Sequence, residues 1–113
     1  GGGIRHNGAF VSPAFVEQVI AEHGMVNDVF VYGIPAASGA PGEKDVVAAI
    51  VPQEAGDLDT AAIFAYCKAE MEANFVPSYL QVVAEIPKTA SEKPQERFLL
   101  EAFSVDGEGI HTS

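Results

Sequence analysis

Apolar residues recur at two different spacings along the chain, and each change of spacing marks the end of an element. The opening "IRHNGAFVS" carries two short segments of strand character around Asn7-Gly8. Both residues of that pair tolerate positive φ, as a type I′ turn demands, so residues 4–11 are expected to form a small hairpin. The spacing then lengthens. Phe15, Val16, Val19, Ile20 and His23 recur at three and four residues, behind a Ser12-Pro13 start and ahead of Gly24. A serine hydroxyl can accept an unpaired N–H of the first turn, and proline at the next position has no N–H to leave unpaired. The pattern predicts a first helix over about 13–23, stopped by Gly24.

"NDVFVYGIP" and "DVVAAIVP" are β-branched runs that close on proline, and "GIPAASGAPGEKD" between them is too rich in Gly, Pro and Ser to extend either. They read as two strands joined by a loop. From Asp59 or Thr60 to about Asn74 a second helix is expected, with Ile63, Phe64, Cys67 and Met71 on one face. "SYLQVVAEIP" reads as a strand over about 79–85. A last helix starting at Pro94 would turn Phe98, Leu99, Ala102 and Phe103 inward. The order hairpin, helix, strand, strand, helix, strand, helix implies an α+β fold: a two-layer domain with helices packed on a small β-sheet, preceded by a short β-hairpin. One domain is expected over 1–103, with 104–113 as a flexible tail because "SVDGEGIHTS" is polar and without periodicity.

At 113 residues the chain is the size of one domain, and no apolar run approaches the roughly 20 residues that cross a bilayer. No basic-then-apolar leader opens it, and a cytoplasmic location is expected. Its formal charge of -10 argues against nucleic acid, whose affinity rests on cations displacing counterions from phosphates. Cys67 is the single cysteine, and His6, His23 and His111 lie far apart in sequence, so no metal site is expected.

The charge is unevenly spread. Three of the six basic residues, Lys88, Lys93 and Arg97, fall within "IPKTASEKPQERF", which spans the connector 87–93 between the last strand and the last helix. A lysine on such a loop, near backbone N–H groups of a helix start, suits a phosphate or carboxylate. The same cations can equally be solvated, with Arg97 pairing Glu101 at i, i+4. Spacing alone leaves both open.

"PKTASEK" resembles the "PKTxSGK" signature near the C-terminus of adenylate-forming enzymes, the superfamily of acyl-CoA synthetases, luciferases and nonribosomal-peptide adenylation domains. "IRHNGAFVSPAFVE" is similar to the family stretch "IKxxGxxIxPxEIE", through Ile4, Gly8, Val11, Pro13 and Glu17. "VFVYGIP", Gly42-Glu43 before "VVAAIVP", and "VPSYLQVVAEIPKT" resemble the strands that follow, the last in wording like the carnitine-CoA and fatty-acyl-CoA ligase branch. The likeness covers only the small C-terminal domain of much longer enzymes.

The resemblance implies an ATP-dependent acyl-CoA synthetase in which this domain works in two orientations against a large N-terminal domain of the same polypeptide. Lys93 is implied as the catalytic residue of acyl-adenylate formation from ATP and a carboxylic acid substrate, with Mg2+ held by the large domain. Gly8 is implied beside the tunnel that admits coenzyme A, with Asn7 and Arg5 as neighbouring contacts. The fragment alone is expected to be inactive. Three positions depart from the family pattern: Glu92 stands where glycine is usual, Asn7 where glycine is common, and the hinge position, an Asp or Lys in the family, falls at about Gly2. The alternative is a stand-alone α+β binding or regulatory module without catalysis.

Overall fold

A computed structural model describes residues 3–6, 8–54, 58–86, 97–101, 103 and 109–112. The hairpin is β1 (Ile4–His6) paired antiparallel with β2 (Ala9–Val11). Helix α1 (Pro13–Ala21) follows, then β3 (Val26–Pro35), β4 (Lys44–Pro52), α2 (Thr60–Glu70), a 3-10 turn at Ala73–Phe75, β5 (Tyr79–Val82), helical residues 97–101, here α3, and β6 (Ile110–Thr112). The main sheet has the order β3-β4-β5-β6, with β4 and β5 parallel and the outer pairings antiparallel. This is the α+β domain that the sequence pattern predicts.

The sheet's two faces follow from strand alternation. On one face Val31, Val46, Ala48, Ile50 and Leu80 meet Val16 and Ile20 of α1, Ile63, Phe64 and Cys67 of α2, and Ile4 and Val11 of the hairpin. On the other, Tyr32, Ile34, Val47, Ala49 and Tyr79 pack with Leu99 of α3. Burial is near complete on both. Burying a Leu, Ile or Val side chain is worth about 1.5–3 kcal/mol, so these two clusters hold the layers together.

Polar groups fix where the helices sit. Ser12 Oγ accepts the Phe15 N–H at the start of α1, and Asp59 Oδ1 accepts the Ala62 N–H at the start of α2, as the sequence suggests for both ends. From α1, Glu17 Oε2 accepts the Val31 N–H at 2.7 Å, so a carboxylate ties the helix to outer strand β3. Buried Gln81 does the same on the second face. Its Nε2 donates to the Leu99 carbonyl at 3.1 Å, and its Oε1 accepts the Tyr32 hydroxyl.

Several boundaries differ from expectation, each for a local reason. Helix α1 stops at Ala21, because the His23 ring accepts the Met25 N–H and draws the chain into a turn; Gly24 is not among the glycines with positive φ. Helix α2 stops at Glu70, where Met71 turns extended with its side chain in the core. Phe15 is only partly covered, lying edge-on to Phe75 at 5.6 Å. Phe98, expected inward, is 46% exposed, because the inner face of α3 centres on Leu99 and its i+4 neighbour Phe103, which meets Tyr79 edge-on. Within the stretch read as a flexible tail, Ile110–Thr112 is a strand on β5, and the Gly109 carbonyl accepts the Val82 N–H at 2.8 Å. Gly109 has φ +83, and a Cβ there would come within 2.9 Å of the Val82 carbonyl oxygen, so glycine is what lets this strand close on β5.

Candidate functional site

Of the four residues singled out from the sequence, Gly8 and Arg5 are described, and Asn7 and Lys93 lie outside the described residues, as do Lys88 and Glu92. Gly8 occupies the hairpin turn at φ +79, a conformation costly for residues with a Cβ. A Cβ built there would find nothing within 4 Å, so this side of the turn is open. Its N–H side is engaged.

The engaging group is Glu43, from the loop between β3 and β4. Its Oε1 accepts the Gly8 N–H at 3.1 Å, and its Oε2 accepts from Arg5 Nε at 3.2 Å. One carboxylate thus spans the turn and the first strand of the hairpin. Arg5 remains largely in solvent, with a side-chain exposure of 57% against 20% for Glu43. Alongside, His6 Nδ1 donates to the Lys44 carbonyl at 2.7 Å and lies 3.8 Å from Asp45 Oδ1. A carbonyl can only accept, so this nitrogen carries the proton.

Gly33 makes the docking possible from below. A side chain there would press within 3.2 Å of Ile4 and 3.0 Å of the Lys44 stem, so the bare backbone is what lets β1 lie on the sheet. The sequence holds the parts of this clamp but not their pairing. Gly42-Glu43 is legible as a turn, yet the 34 residues between Gly8 and Glu43 carry no periodicity that would join them.

The topology separates this hairpin from the end of β5. Hairpin contacts gather at Glu43, Lys44 and Asp45, where β4 begins. Strand β5 runs parallel to β4 and ends at Val82, opposite Ile50. Lys44 and Ile50 are six residues apart on one strand, or about 20 Å at roughly 3.3 Å per residue.

The remaining reactive side chains are structural. Cys67 is fully buried on α2, and burial pushes its thiol up to about 11. The Tyr66 hydroxyl donates to the Val19 carbonyl and ties α2 to α1; burial, with Glu22 and Glu70 nearby, raises its pKa. Among the described residues no three His, Cys, Asp or Glu side chains come together, and no helix is long and apolar enough to cross a membrane.

The sequence model of the AMP-binding enzyme C-terminal domain matches residues 15–93. The chain belongs to this family. Among curated relatives, the probable CoA ligase CCL9 of Humulus lupulus is 29% identical over 100 residues, covering 88% of this chain and 18% of that protein. A crotonobetaine/carnitine–CoA ligase of Salmonella paratyphi B is 30% identical over 90 residues, covering 80% of this chain and 17% of that protein. The solved anthranilate CoA ligase AuaEII, in complex with anthranoyl-AMP, superposes with a TM-score of 0.71 at 29% identity, covering 88% of this chain and 19% of that one. The chain thus spans under a fifth of the length of these relatives.

Proposed function

We propose that this domain serves an ATP-dependent acyl-CoA synthetase acting on a fatty acid or related carboxylic acid in the cytoplasm, and that it supplies two different surfaces to two successive half-reactions. What supports this reading most is the match of the family model over residues 15–93, a span that ends on Lys93, together with a hairpin turn whose Gly8 is open on its Cβ side.

In the first half-reaction a carboxylate oxygen attacks the α-phosphorus of ATP, and the bond to pyrophosphate breaks. Lys93 is assigned to hold the carboxylate and α-phosphate oxygens together, stabilising charge without transferring a proton. In the second, the thiolate of coenzyme A attacks the acyl carbonyl and AMP leaves. The open side of Gly8, with Asn7 and Arg5 beside it, is assigned to the approaching coenzyme A. Magnesium accompanying the nucleotide falls to the large domain. The domain alone is inactive on this reading, since its lysine has no nucleotide cleft to enter.

The test is made in the polypeptide that joins this chain to its large domain. Lys93→Ala is expected to slow acyl-adenylate formation by about 10²-fold or more, read by ATP–pyrophosphate exchange. Exchange at the unsubstituted rate would remove Lys93 from the mechanism.

A further inference from the structure

We propose that Glu43 is a positioning residue of the thioester half-reaction: it holds the hairpin turn rigid from behind so that the open side of Gly8 stays presented. This rests on the reading of Gly8 given above and adds a residue to it. Three observations carry it. The first is the double engagement of one carboxylate, Oε1 on the Gly8 N–H and Oε2 on Arg5 Nε, which joins the tip of the hairpin to its first strand.

The second is that Glu43 engages the N–H of Gly8 and leaves its Cβ direction clear. The turn's Cβ direction meets nothing within 4 Å, while its N–H is taken up. The third is that the hairpin is short, three residues a strand, and a two-stranded ribbon of that length is marginal in water without outside support. Ile4 and Val11 bury its base. At the tip, the described polar support comes from Glu43 together with the His6–Lys44 bond.

Arg5 gains a direction from the same contact. With Nε committed to Glu43, its terminal nitrogens remain for an anionic group of the acyl acceptor, and an ion pair this exposed adds little stability of its own. The contact is therefore better explained by orientation than by folding energy.

The experiment compares Glu43→Ala and Glu43→Gln in the joined polypeptide. With preformed acyl-adenylate, Glu43→Ala is expected to slow acyl transfer to coenzyme A by about tenfold, while pyrophosphate exchange stays within about threefold. Glu43→Gln keeps an acceptor for the Gly8 N–H and should recover most of the transfer rate. In this chain by itself, amide hydrogen exchange at Gly8 should speed up in Glu43→Ala and not in Glu43→Gln. Transfer at the unsubstituted rate in Glu43→Ala overturns the proposal, as does equal slowing of both half-reactions with a lowered melting temperature. Gly8→Leu separates the two readings. If it leaves transfer intact, the role of Gly8 fails; if it slows transfer while Glu43→Ala does not, only the role of Glu43 fails.

Discussion

At the scale of single residues, the fold distinguishes side chains that react from side chains that fill space. Cys67 is a nucleophile by type, but it sits between α2 and the sheet, with its thiol pushed up to about 11 by burial. As pH rises from about 9 toward 11, the unfolded chain loses this proton before the folded one does. The contribution is therefore complete below the unfolded pKa and is lost as pH climbs through that window. At pH 8 a thiol-specific disulfide reagent should label the folded chain far more slowly than the chain in urea. Equal rates would mean that α2 does not cover Cys67. Glu43 is the opposite case, an ordinary loop carboxylate whose importance comes from what two of its oxygens touch.

At the scale of elements, the helices and central strands were legible because their signals are local. Ser12-Pro13, Asp59 and the β-branched runs each state a start or a pairing face within a few residues. What was not legible depends on contacts between distant segments. Strand β6 is short and polar, and it exists because Tyr79–Gln81 offers an edge to Ile110–Thr112. The placement of α3 is likewise remote. It depends on Gln81, a polar residue at an inward position of β5, which reaches both Tyr32 and the Leu99 carbonyl. Gln81→Leu removes one acceptor and one donor from a buried network and is expected to cost about 1–3 kcal/mol. Urea unfolding measures it. A variant as stable as the original would show that Leu99 alone holds α3 in place.

At the scale of the whole molecule, the Asn7-Gly8 turn and the connector of residues 87–93 lie far apart in sequence, and the described topology fixes where the hairpin and the end of β5 sit. The pairing of β4 with β5 sends the chain out at the Ile50 end, whereas the hairpin is clamped at the Lys44 end. Membership of the family was legible from motif wording and is carried by the match over residues 15–93. The clamp by Glu43 was not, since it joins residues 35 positions apart through a loop of Gly, Ala and Pro. On the proposed reading, a domain that serves two half-reactions should show two separable defects.

The most direct measurement is therefore single-turnover kinetics of both half-reactions for Lys93→Ala and Gly8→Leu in the joined polypeptide. The account predicts a crossed pattern: Lys93→Ala loses acyl-adenylate formation by about 10²-fold yet passes a supplied adenylate to coenzyme A, and Gly8→Leu does the reverse. Parallel losses in both steps for both variants would contradict a domain that supplies different residues to the two half-reactions.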